Sequence, residues 1–144
     1  MARLIAHLAP KTVVFSAHGL REGWLYDLIA EDEKARDPMI AVCEDRRFIP
    51  RRSDDHAGLL FDWTAPLFAG QDPRGQRLRR IACLLSDMAW REPPDHRAWH
   101  AYNRTLYLPM AGLDHDERVF LAACLRCATG SRSSARLSPR SWDC

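Results

Sequence analysis

Lysine is almost absent. Of 21 basic residues nineteen are arginine, and only Lys11 and Lys34 are lysine. Arginine forks match phosphate oxygens in pairs, but a GC-rich genome gives the same bias, so the ratio alone selects no ligand. A large charge of one sign is also missing: the net is +2 over 144 residues, which calls for no anionic partner by itself. Glycine is sparse, with seven scattered residues and no cluster resembling a phosphate-cradling loop. No apolar run approaches the ~20 residues that span a bilayer, and no signal peptide opens the chain. A cytoplasmic setting without membrane contact is therefore expected. The five cysteines, Cys43, Cys83, Cys124, Cys127 and Cys144, are odd in number and scattered along apolar segments, unlike a disulfide framework. Cys124 and Cys127 form a C-x2-C, but no second Cys/His pair stands at zinc-finger spacing. Within the helical run 119–125 a buried, small apolar role is expected.

What is present is globular. Hydrophobic residues make up 47% and charged residues 28%, values that exclude wholesale disorder, and the length suits one domain with a real core. Residues 12–17 (Thr-Val-Val-Phe-Ser-Ala) are β-branched and aromatic and predict a buried strand. His18-Gly19 turns the chain, and Leu20, Trp24, Leu25, Leu28 and Ile29 recur at helical spacing. Strand, turn and helix in that order belong to an α/β unit, yet one strand makes no sheet. Asp37-Pro38 interrupts the pattern, and 44–55, with Arg46, Arg47, Arg51, Arg52 and Pro50, reads as a solvated linker.

Beyond it four amphipathic helices follow. The first runs through Ala57, Leu60, Phe61, Trp63, Thr64, Leu67 and Phe68, with Ser53 or Asp54 as cap. The second carries Leu78, Ile81, Ala82, Leu85, Met88 and Ala89. The third starts at Asp95, after Pro93-Pro94, and runs through Trp99, Tyr102, Leu106 and Tyr107. The fourth starts at Asp114 or Asp116 and reaches about Cys127. Short connections predict a compact bundle. Residues 131–144 hold five Ser and three Arg without periodicity and are expected to be disordered.

The string 15–26, Phe-Ser-Ala-His-Gly-Leu-Arg-Glu-Gly-Trp-Leu-Tyr, resembles the end of the second actin-like domain in the exopolyphosphatase/guanosine pentaphosphatase (Ppx/GppA) family. Asp37-Pro38 and the blocks 56–68, 77–90 and 112–115 follow that family's order, so the resemblance covers residues 1 to about 127. It implies a mainly α fold: an HD-like helical bundle, preceded by one strand and helix left over from an α/β actin-like domain. The implied division is a remnant of the actin-like domain over 1–36, a linker over 37–55, an incomplete HD-like domain over 56–130 and a tail over 131–144. The implied activity is hydrolysis of the terminal phosphate of polyphosphate or the 5′ phosphate of guanosine pentaphosphate. In the intact family enzyme two actin-like domains, a catalytic carboxylate and Mg2+ perform it. None of those N-terminal motifs occurs here, so no catalytic residue and no cofactor are assigned to this chain, which is expected to be inactive alone. The implied partners are polyphosphate or guanosine pentaphosphate, the missing actin-like domains and a second copy in a homodimer.

Several residues remain as site candidates. The family places the turn at Arg21 on the interdomain cleft, which implies substrate contact for Arg21 at a helix start; the alternative is a structural Arg21–Glu22 pair. Metal-dependent HD phosphohydrolases carry a His, then a His-Asp pair about thirty residues on. Here His56 and Asp87 stand in place but Ser86 replaces the imidazole, which makes a degenerate site and predicts no metal. His115 lies between Asp114 and Asp116 as a ligand or as an ordinary solvated helix start. Arg74, Arg77, Arg79 and Arg80 crowd one helix beginning, against the dipole. The resemblance implies a polyphosphate channel with Arg77 and Arg80 binding substrate; the alternative is a solvated face paired with Asp72 and Glu92. Trp63, Trp90, Trp99 and Tyr102 are conceivable stacking platforms for nucleic acid, but three lie on apolar stripes, so core packing and no nucleic-acid partner are expected. Family members often read Arg-Tyr-Gly where this chain has Cys127 to Gly130. One coding of those four residues, TGC GCT ACG GG, yields Arg-Tyr-Gly two bases later. A frameshift is therefore expected, with uncovered apolar surface and marginal stability. Two other functional classes stay open: an anion-binding module using residues 74–80, and a surviving HD metalloenzyme.

Overall fold

An aspartate followed by a proline starts two of the helices. A proline is tolerated at the first helical position, and the aspartate before it accepts the backbone N–H groups that no turn precedes. In the computed structural model, which describes residues 2–13, 18–45, 49, 52–108 and 111–130, Asp37 accepts from the backbone N–H of Met39 at 2.9 Å and opens a helix at Pro38. Asp72 does the same at Pro73, accepting from Gly75. Asp114 and Glu117 form a reciprocal capping box at the start of the last helix, with Glu117 N–H donating to Asp114 at 2.8 Å.

The chain divides into two units, Met1–Ala35 and Arg36–Cys144. The first contains α1 (Ala2–Leu8), α2 (Leu20–Asp27) and α3 (Glu31–Lys34). No residue of α2 or α3 is buried. The strand expected over 12–17 is not seen: Thr12 and Val13 belong to no regular element, residues 14–17 lie outside the described residues, and no strand occurs among those described.

The second unit is a helical bundle of α4 (Pro38–Glu44), α5 (His56–Thr64), α6 (Pro73–Leu85), α7 (Pro94–Leu106) and α8 (His115–Thr129), with a 3-10 turn, Ala65–Phe68, prolonging α5. The mainly α expectation holds. Its core joins Met39 and Cys43 of α4, Ile49, Ala57 of α5, Ile81, Leu84 and Leu85 of α6, Met88 and Ala89, Ala101 of α7, and Leu121 and Leu125 of α8. Three of these come from the stretch expected to be a linker. Asp37-Pro38 does interrupt the preceding chain, but the same dipeptide caps a new helix, and Met39 and Cys43 face the core from it. α6 stops at Leu85, and consecutive turns carry Met88 and Ala89 inward. α7 and α8 run antiparallel and form the most extensive helix pair. No described helix is long and apolar enough to cross a membrane. The tail expected to be disordered, 131–144, lies outside the described residues.

Candidate functional site

The arginine row of α6 gathers four guanidinium groups within seven residues, and its members tie the helix to α4, α5 and α8. Arg77 donates through Nε and Nη2 to the Asp37 carboxylate, the second bond at 3.1 Å, and Nη2 also donates to the Gly112 carbonyl at 2.6 Å. Its Nη1 lies 3.9 Å from Glu117. Arg74 donates Nε to Glu117 and Nη2 to Asp114, both at 2.7 Å. The chain Asp37–Arg77–Glu117–Arg74–Asp114 therefore links α4, α6 and α8, using two of the capping aspartates as counter-ions. Burial pushes the Asp37 carboxyl up, but the Arg77 hydrogen bond and the N–H groups of Ile40 and Met39 outweigh it and leave its pKa below the ordinary value. The same bond raises Arg77. Hydrogen bonding to Glu117, then the charges of Glu117 and Asp114, raise Arg74.

Gly112 is where this network meets the chain turn before α8. Its φ is +91°, a region that L side chains rarely adopt, and a Cβ there would stand 3.1 Å from Pro38 Cγ and 3.4 Å from Arg77 Nη2. The position requires glycine for both reasons.

Arg79 turns to α5. Its Nη1 donates to Phe61 O at 2.6 Å and Thr64 Oγ1 at 2.9 Å, and its guanidinium lies 3.8 Å from the Phe61 ring centroid. Arg80 donates to Glu44 at 3.1 Å. Positive charge at a helix start is unfavourable against the dipole, and these acidic partners on α4 and α8 offset it. They are not the partners the sequence suggested: Asp72 caps α6, and Glu92 pairs with Arg104. Arg80 also lines an open cleft of about 430 Å³ between α4, α5 and α6, whose other walls carry Glu44, Asp54 and Asp62 over Ala57 and Phe61. Three carboxylates around one paired guanidinium make this cleft unfavourable for a polyanion.

The structure brings His56 and Asp87 together across 31 positions: Nε2 lies 4.0 Å from Oδ1. Ser86 does not join them, because its hydroxyl donates back to Cys83 O at 2.7 Å, a local bond common for serine at a helix end. The buried Asp87 is held by Arg52 instead, through its backbone N–H and Nη2, each at 3.3 Å. A buried carboxylate needs such a countercharge. Arg52 was missed in the sequence because it sits in the stretch read as linker; the signal available was its place four residues before His56. Among the described residues no three His, Cys, Asp or Glu side chains form a group able to hold a metal ion.

Arg21 lies exposed on the first turn of α2 in the other unit. It does not pair with Glu22, whose carboxylate accepts from the Gly19 N–H at 2.8 Å. Hydrogen bonds from its own backbone N–H and from that of Gly19 lower the Glu22 pKa. His115 opens α8 and is exposed. The aromatic residues depart from expectation: Trp63 is 73% and Trp99 56% exposed, and Trp99 stacks on Tyr102 at 6.2 Å, with Arg126 against both rings. Cys124 of the C-x2-C is also less buried than expected. Cys43 and Cys83 are buried, Cys124 is half-buried and Cys127 is exposed.

Comparison with known proteins gives one family. The family model of the exopolyphosphatase C-terminal domain matches residues 39–134. No curated protein matches the chain.

Proposed function

The chain belongs to the exopolyphosphatase C-terminal family, and from that premise we propose that it is the non-catalytic helical module of a phosphoanhydride hydrolase. The parent activity is removal of the terminal phosphate of polyphosphate or the 5′ phosphate of guanosine pentaphosphate, in a cytoplasmic setting. Phosphoryl transfer needs a phosphate cradle, a carboxylate that orients the nucleophile and a cation that offsets the developing charge. The single observation behind the proposal is the internal commitment of charge. The buried or half-buried carboxylates Asp37, Asp87 and Glu117 are each matched to an arginine of this chain. A carboxylate already matched to a guanidinium is poorly placed to hold Mg2+ or to ready a water. In this reading the actin-like domains and Mg2+ of the intact enzyme perform the chemistry, and the bundle supplies a rigid support. Purified chain incubated with long-chain polyphosphate and Mg2+ releases no phosphate above buffer; turnover sensitive to Asp87→Asn ends the proposal.

A second reading is favoured by one feature. The side chains of Arg74 and Arg80 remain 60% and 53% exposed while paired, so their outer edges face water. On this reading the water-facing edges of Arg74 and Arg80 bind a polyanion without hydrolysing it. Labelled polyphosphate is then retained by the chain, retention falls with salt, and Arg80→Ala weakens it. Retention unaffected by salt and by Arg80→Ala rejects this second reading and leaves the first in place.

A further inference from the structure

α7 carries two histidines that neither reading uses. We infer that His96 and His100 form a two-imidazole site for a late first-row divalent cation of the Ni(II), Cu(II) and Zn(II) class. The residues stand at i and i+4, a spacing that stacks side chains on one helix face and that supplies two imidazoles to one ion in helical zinc motifs. That face is the outward one, since Ala101 and Thr105 bury the opposite side of α7. His96 is exposed and His100 half-buried, so an ion reaches them from solvent and water completes its coordination.

The rings already meet. Their centroids are 6.5 Å apart, edge to face. A shared ion with nitrogen bonds of about 2.0–2.1 Å draws the centroids in to about 5 Å, a closure that rotation of exposed side chains permits. The backbone beneath them is fixed: Arg97 donates to the carbonyls of Trp90 and Glu92, and Arg104 to that of Met88, so α7 is bound to the preceding turns. Two borderline nitrogen donors on a rigid frame favour imidazole-preferring metals over Mg2+ or Ca2+, which take oxygen ligands. The site is separate from the His56–Asp87 pair, where Arg52 holds the positive position.

Ni(II) titrated calorimetrically into the untagged chain is the test. One equivalent binds, and His96→Ala and His100→Ala each weaken it by at least the ~10-fold that losing even an outer-shell partner costs. His115→Ala leaves the affinity unchanged. Circular dichroism of the variants, repeated with the milder His96→Gln, separates loss of ligand from loss of fold. Affinity in His96→Ala equal to that of the parent chain overturns the inference. So does bound nickel that shows a thiolate charge-transfer band and disappears in Cys124→Ser, because the C-x2-C is then the site.

Discussion

Replacing Arg77 by alanine tests whether the arginine row holds the bundle together. Arg77 and Asp37 are only 26% and 25% exposed, and the guanidinium also carries the Gly112 carbonyl. Removing one partner of a buried, hydrogen-bonded pair costs about 3–5 kcal/mol; with a quarter of each side chain in water, roughly 2–4 kcal/mol is expected. For a bundle of about a hundred residues that lowers Tm by roughly 10–20 °C. The internal control is Arg80→Ala. Its pair with Glu44 is 53% and 37% exposed, and exposed pairs contribute about 0–1 kcal/mol. Urea denaturation of parent, Arg77→Ala, Asp37→Ala and the double variant gives the coupling directly. The acid limb carries the same signature. The folded Asp37 carboxyl lies below its ordinary value of 3.8, so the folded state binds this proton less readily than the unfolded chain. The stability it contributes is complete above the unfolded value and is lost as pH falls from about 4 through the folded pKa. Arg77→Ala flattens that loss. An Arg77→Ala chain within ~0.5 kcal/mol of the parent, or no less stable than Arg80→Ala, refutes the structural assignment and returns Arg77 to ligand binding.

Two glycines give opposite outcomes by the same substitution. Gly112→Ala destabilises by about 1–3 kcal/mol, because it strains a positive φ and crowds Pro38. Gly58→Ala, in the first turn of α5 with nothing within 4 Å of the added Cβ, stabilises by about 0.4–1 kcal/mol; thermal melts read both. Leu85→Ala, at a fully buried position, costs about 2–5 kcal/mol in urea. Among the cysteines described, Cys127 reacts first with a thiol reagent under native conditions, since it is exposed, whereas burial shields Cys43 and Cys83 and raises the Cys83 thiol. Peptide mapping after brief alkylation checks the order, and equal labelling of Cys83 contradicts it.

Helix periodicity was the legible part of the fold. Leu78, Ile81, Ala82 and Leu85 repeat at helical spacing, and they face the core or pack against it. Charge pairing was not legible, because it depends on contacts 35 to 43 positions apart: Arg77 with Asp37 and Gly112, and Arg74 with Asp114 and Glu117. A helix-start arginine cluster looks the same in sequence whether its partners are phosphates or distant carboxylates. The aromatic stripe misled for a related reason. Trp63 and Trp99 sit at helical spacing with core residues, yet the described residues leave them exposed, since periodicity fixes which residues share a face and not whether that face is covered.

Asp37 shows why local reading stopped short at the domain junction. The sequence marks Asp37-Pro38 as a break, and the backbone there is extended, as a residue before proline requires. The same aspartate accepts from Met39 and Ile40, which directs Met39 and Cys43 into the core, and it receives Arg77 from α6. A cap needs one acceptor oxygen, and a carboxylate has room for more. At Asp37 the surplus charge recruits a guanidinium from elsewhere in the chain. Asp114 repeats the arrangement with Arg74 at the start of α8. The arginine excess of this bundle is thus matched, in part, to its habit of capping helices with aspartate. That match favours internal bracing over ligand binding for Arg74 and Arg77.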